Sequence, residues 1–157
     1  MTSLSSGEKA PNFILPSSCG KEINLLELKG SKIVIYFYPK DNTSGCTIEA
    51  IDFSNLKSDF DKESTIVLGI SPDSIESHKK FYKKHNLSII LLSDESKEVL
   101  KAYDVWKEKS MFGKKYMGVV RTTFLINEEG IITKIWSPVT IKNHVQNVLQ
   151  VVKSLKK

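Results

Sequence analysis

Short apolar runs set between polar turns mark the strands of this chain, and apolar residues at three- and four-residue spacing mark its helices. The run Ile33–Tyr38 (IVIYFY) has the length and the β-branched and aromatic content of a strand buried on both faces, and Pro39 ends it by removing a ladder donor. Beyond a polar turn, Phe53, Leu56 and Phe60 recur at helical spacing behind Thr43 and Ser44, both good N-cap types, so a helix is predicted to begin close to Cys46. With Thr43 as the cap, Cys46 is the third residue of that helix. Thr65–Ile70 (TIVLGI) reads as a second buried strand, followed by a turn at Ser71, Pro72 and Asp73 and a helix over Ile75–His85 with lysines on its polar face. Ile89–Leu92 reads as a short strand, and Ser93–Tyr103 as a helix opened by Ser93, Asp94 and Glu95.

Upstream, Gly7–Phe13 forms an opening segment, and short strands at Phe13–Leu15 and Glu22–Leu25 flank a turn of Pro16, Ser17, Ser18, Cys19 and Gly20. Downstream, Trp106–Gly118 shows no regular pattern. Residues 123–126 and 131–136 read as a hairpin around Asn127, Glu128, Glu129 and Gly130, and Ile141–Leu155 as a closing helix lined by Val145, Val148, Leu149 and Val152. This order is that of an α/β domain of thioredoxin-like type, with an added N-terminal β-hairpin and one inserted β-α unit.

Composition limits what such a domain does. The chain has 157 residues, 40% hydrophobic and 26% charged, enough for one core and one domain spanning residues 1–157. MTSLSSGEKA lacks the apolar centre of a signal peptide and no run is long enough to span a membrane, so a cytoplasmic address with no membrane partner is expected. The net charge of +5 comes from lysines scattered from Lys79 to Lys156 and Lys157, with acids among them and no interleaved aromatic motif; solvated helix faces, not a nucleic-acid site, are expected. Arg121 is the only arginine, and Cys19 and Cys46 are the only cysteines, too few for a disulfide framework.

The chemistry therefore centres on Cys46. The first turn of a helix leaves N–H groups unpaired and favours an anion there. A helix end supplies about 0.3–1 kcal/mol, whereas ionising most of a thiol near neutral pH takes roughly 3 kcal/mol. A cation or further donors must supply the rest. Arg121, at the start of TFLI, is well placed if that strand lies beside Ile33–Tyr38; Thr43 offers a hydroxyl; Glu49 fits best as a carboxylate that holds Arg121. Taken singly, each has a plain structural alternative: Thr43 an N-cap, Pro39 a strand terminator, Glu49 a first-turn acid, Arg121 a surface charge, Cys46 a core filler.

The joint spacing Pro39-x-x-x-Thr43-x-x-Cys46 resembles the active-site signature of the peroxiredoxins, and YFYPKDNTSGCTIEA resembles their bacterioferritin comigratory protein (peroxiredoxin Q) branch. GEKAPNF, WKEKSMFGKKYMGVVRTTFLI and Lys134–Leu149, with Trp136 and His144, extend the similarity along almost the whole chain. The resemblance implies a thiol-dependent peroxidase of hydrogen peroxide and organic hydroperoxides, monomeric and without cofactor or metal. Cys46 would be the attacking thiolate and pass through a sulfenic acid; Thr43 and Arg121 would hold the peroxide oxygens, with backbone N–H groups near Gly45 and Cys46. Pro39 would shield the sulfur, and Glu49 would orient Arg121.

One position departs from the branch. Many members carry a resolving cysteine five residues after the attacking one, where this chain has Ile51. A one-cysteine cycle recycled by thioredoxin, glutaredoxin or a small thiol is the favoured expectation, with Cys19 as the alternative resolving residue. A C-x-x-C reductase is excluded by Glu49 at that offset, and a noncatalytic redox sensor or chaperone module on the same fold is the remaining alternative. His78, His85 and His144 show no clustering of ligands and are expected as exposed helix residues, so neither a metal site nor cysteine-protease chemistry is expected.

Overall fold

Strands that are buried on both faces come together in one five-stranded sheet, because each has two sides to bury, and a half-exposed strand closes one edge. The computed structural model describes residues 2–155; Met1, Lys156 and Lys157 lie outside them. Its elements are β1 (Ile14–Pro16), β2 (Glu22–Asn24), β3 (Lys32–Phe37), α1 (Ser44–Asn55), α2 (Lys57–Lys62), β4 (Thr65–Ser71), α3 (Ile75–Lys84), β5 (Ile90–Ser93) and α4 (Glu98–Ala102). There follow β6 (Trp106–Met111), β7 (Lys114–Val119), β8 (Thr122–Ile126), β9 (Ile132–Trp136) and α5 (His144–Ser154).

The sheet runs β5-β4-β3-β8-β9, with β3, β4 and β5 parallel and β8 and β9 antiparallel. Successive residues of β3 alternate between two cores. Ile33, Ile35 and Phe37 join Phe13, Tyr103 and Phe124 on one side; Val34 and Tyr36 join Cys46, Phe53, Phe81 and Val148 on the other. The β1-β2 hairpin and the β5-α4 unit are the additions expected on a thioredoxin-like core.

Four expectations are corrected. The helix that was to carry Phe53, Leu56 and Phe60 together breaks at Leu56, and the break brings the Phe60 ring to 5.9 Å from Phe53. The helix expected over Ser93–Tyr103 shrinks to Glu98–Ala102, because Ser93 continues the parallel ladder opposite Ser71 and the Asp94 carboxylate accepts from Leu100 N–H at 2.8 Å. The closing helix starts at His144 after left-handed Asn143, not at Ile141. The stretch Trp106–Gly118 is a two-stranded arm, β6-β7, whose tip exposes Met111 and Phe112 and whose second strand exposes Met117. With most of the arm facing solvent, no apolar alternation marked it in the sequence. Among the described residues no helix is long and apolar enough to cross a membrane.

Candidate active site

The sheet delivers one end of β3 and one end of β8 to the same place. Antiparallel pairing sets Phe37 opposite Thr122, so Arg121, the residue before β8, stands beside the loop that leaves β3. That loop prolongs the parallel ladder through Tyr38 N–H, which donates to Ile70 O at 3.1 Å, and then meets half-buried Pro39, which has no N–H to donate. Thr43 takes extended backbone geometry at the N-cap of α1, and its carbonyl accepts from Thr47 N–H at 2.9 Å. Cys46 is thus the third residue of the helix, as expected, with none of its surface exposed.

Arg121 reaches the sulfur. Its Nη2 donates to Cys46 Sγ at 3.1 Å and its Nη1 to Glu49 Oε1 at 3.4 Å. Thr43 does not: its hydroxyl donates to Lys40 O at 2.8 Å and neither caps the helix nor bonds the sulfur. Lys109 on β6 also faces the site. Burial lowers its pKa, with Arg121 adding to the effect and Cys46 opposing it.

Glu49 differs from the expected carboxylate. It is 1% exposed, its contact with Arg121 is long, and Oε2 has no partner, so burial prevails over the arginine and pushes its pKa up to about 8. Protonated Glu49 leaves the positive charge of Arg121 free to act on the sulfur. The folded state thereby keeps a proton that the unfolded carboxyl releases near 4.5, so this group costs nothing below pH 4.5 and lowers stability progressively as pH rises towards 8. Glu49→Gln is expected to remove that decline. Urea unfolding at acid and mildly alkaline pH should show the variant gaining on the parent by on the order of a few kcal/mol as pH rises; a constant difference would refute it.

Gly45 is required by close approach. A Cβ there would lie 2.7 Å from Ile141 Cδ1 and 3.0 Å from Arg121 Nη2. The isoleucine tip can turn aside, but the guanidinium can move only by leaving Sγ or Glu49. Gly45→Ala is expected to slow Cys46 oxidation about tenfold while costing about 1–2 kcal/mol of stability. Stopped-flow oxidation rates and urea unfolding check both halves.

Cys19 lies elsewhere. It is exposed in the β1-β2 turn, where the hydroxyl of Ser17 at 2.9 Å lowers its pKa against the opposing effect of burial. Ser17 bridges Leu92, which pairs with Ile70, which pairs with Phe37. At about 4.8 Å per inter-strand step, Ser17 stands roughly 14 Å from the end of β3. A disulfide needs Cα atoms within about 7 Å.

The histidines overturn their expected exposure. His78 and His144 are buried, and only His85 remains partly exposed. His144 Nε2 lies 2.8 Å from the Thr123 hydroxyl, and burial lowers its pKa to about 4. His78 is also clustered, with its ligating atom and those of Asp41 and Asp73 within 4.8 Å of one another. Protein donors already occupy that cluster: Tyr38 and Ser77 hydroxyls on Asp41, and the Ser71 hydroxyl with the Asp41 N–H on Asp73. The acid between Pro39 and Thr43 was the one sequence signal for this network.

Comparison with known proteins finds relatives along almost the whole chain. The AhpC/TSA family matches residues 6–135. Peroxiredoxin Bcp of Bacillus subtilis (strain 168) is 47% identical over 149 residues, covering 95% of each chain. Peroxiredoxin Bcp of Escherichia coli (strain K12) is 39% identical, covering 95% of this chain and 96% of that one. A solved structure of the Xanthomonas campestris bacterioferritin comigratory protein, concerned with its alkyl peroxide reduction activity, aligns with a TM-score of 0.89 at 38% identity over 98% of both chains.

Proposed function

Because this chain belongs to the AhpC/TSA family and groups there with the Bcp peroxiredoxins, which are thiol peroxidases, we propose that Cys46 is the thiol that reduces the peroxide. The observation that carries this reading is the 3.1 Å contact from Arg121 Nη2 to a sulfur in the first turn of a helix. The thiolate attacks the terminal oxygen of a hydroperoxide; the S–O bond forms as the O–O bond breaks, and the leaving alkoxide or hydroxide takes a proton. Sulfur supplies both electrons and ends as sulfenic acid, so no cofactor is called for.

Arg121 and the free N–H groups of Gly45 and Cys46 stabilise charge spreading along the O–O bond. With its own proton committed to Lys40 O, Thr43 Oγ1 accepts from the hydroperoxide O–H. Pro39 limits water at the sulfur, and Glu49 steadies Arg121. Substrates are hydrogen peroxide and organic hydroperoxides, in keeping with the alkyl peroxide activity of the Xanthomonas campestris relative.

Recycling follows a one-cysteine route. Ile51 stands where many branch members have a resolving cysteine, and the spacing of the Cys19 turn, through Ser17, from the end of β3 favours an external thiol. One thiol attacks the sulfenic sulfur and releases water; a second frees Cys46 and leaves the reductant as a disulfide. Thioredoxin, glutaredoxin or a small thiol fits that role. The enzyme works as a monomer, since every group invoked comes from one chain, and in the cytoplasm, where a reducing pool keeps Cys19 and Cys46 as free thiols.

The test is the intact mass of reduced protein after one equivalent of hydrogen peroxide, with both cysteines mapped. An oxygen adduct at Cys46, turning into a mixed disulfide when a small thiol is added, is expected. A Cys19–Cys46 link within one chain would replace the one-cysteine route, and unreacted Cys46 with persisting peroxide would reject the role of Cys46.

A further inference from the structure

The loop from Tyr38 to Thr43 leads directly into the helix turn of Cys46 and passes through left-handed Asn42 at φ 63°. Its anchor is Asp41, only 4% exposed. A carboxylate so withdrawn from water must be fully bonded. Oδ1 accepts from the Tyr38 hydroxyl at 2.7 Å; Oδ2 accepts from the Ser77 hydroxyl at 2.8 Å and lies 2.7 Å from His78 Nδ1. The Asp41 N–H donates to Asp73 Oδ2 at 2.8 Å.

His78, fully buried on α3, turns its other nitrogen to the carbonyl of Leu92 on β5 at 2.8 Å. A carbonyl only accepts, so Nε2 carries a hydrogen, and the short Nδ1 to Oδ2 contact then holds one further proton between ring and carboxyl. Contacts thus run from β5 through α3 into the loop that carries Thr43 and leads to Gly45 and Cys46 in the first turn of α1. None belongs to the sulfur chemistry described above.

We propose that Asp41, clamped by His78 and Tyr38, is a positioning residue of the peroxide site: it sets the loop so that Thr43 and Cys46 meet the O–O bond in reactive alignment. The proposal rests on Cys46 as the reacting thiol. Its test compares oxidation of Cys46 by hydrogen peroxide with alkylation by iodoacetamide in the same full-length variants. Alkylation needs only a thiolate and access, whereas peroxide reduction also needs alignment. Reaction of both reagents at Cys46 in the parent protein checks the underlying reading before any variant is compared.

In Asp41→Ala, shown to be folded by circular dichroism, the peroxide rate constant is expected to fall about tenfold or more while alkylation stays within about threefold. Asp41→Asn, which keeps an acceptor for Tyr38 and offers an amide N–H to His78 Nδ1, is expected to recover most of that loss. An unchanged peroxide rate in folded Asp41→Ala, or both rates falling in parallel, overturns the proposal. Should Asp41→Ala fail to fold, Tyr38→Phe removes a single donor and is expected to lower the ratio of the two rates about threefold; an unchanged ratio overturns it equally.

Discussion

Cys46→Ser is expected to bring peroxide consumption down to the uncatalysed background, a loss of at least about a thousandfold, because a serine hydroxyl is almost entirely un-ionised at neutral pH and cannot hold the oxygen as a sulfenic acid does. The fold should survive. Oxygen replaces sulfur in a fully buried position where Arg121 Nη2 can still donate to the new hydroxyl. The cost of placing that hydroxyl among apolar neighbours should be no more than about 1–2 kcal/mol. Peroxide decay with an excess of small thiol reads the first quantity and urea unfolding the second. Activity surviving in this variant would move the chemistry to Cys19, and Cys19→Ser, expected to be silent in the parent, would then abolish it.

Arg121→Lys is expected to slow oxidation of Cys46 by about ten- to a hundredfold, and Arg121→Met further, towards the roughly 10²–10³-fold loss typical of removing a donor at a developing anion. The guanidinium bonds two groups at once, Sγ through Nη2 and Glu49 through Nη1. A lysine carries its charge at one point and can satisfy one of them. Methionine leaves the sulfur without its arginine donor and leaves buried Glu49 with no cation to oppose its burial. Rapid-mixing measurement of Cys46 oxidation, before any reductant acts, isolates this effect from recycling. A rate within threefold of the parent in Arg121→Met would remove Arg121 from the reaction.

The two variants probe contacts of different legibility. That Cys46 opens a helix was readable, because strand, turn and helix signals over Ile33–Phe60 are local and agree with one another. That Arg121 reaches it was readable only in part: the expectation required β8 to lie beside β3, and the register of Phe37 with Thr122 makes it so. Thr43 stands at the start of that helix as its spacing predicts, but its hydroxyl donates to Lys40 O and not towards the sulfur, since a hydroxyl with several acceptors in reach cannot be assigned from spacing. Glu49 was readable as a carboxylate that holds Arg121, but its weakened acidity comes from burial that no neighbour in sequence announces.

His78 shows the same limit more sharply. Its lysine-rich helix reads as solvated, and most of that helix is, but the one histidine turned inward meets Asp41 37 positions away. The β6-β7 arm escaped notice for the opposite reason, since little of it is buried and its strands carry no core-facing pattern.

By itself the sequence determined the strands outside the β6-β7 arm, most of the helices, the place of Cys46 at a helix N-terminus and the family signature around it, because hydrophobic periodicity and turn chemistry act over a few residues. Only the tertiary structure decided which groups stand against that sulfur and its loop. Arg121 lies 75 positions from Cys46, and contacts at such separations are set by strand order, register and burial, which are properties of the packed chain.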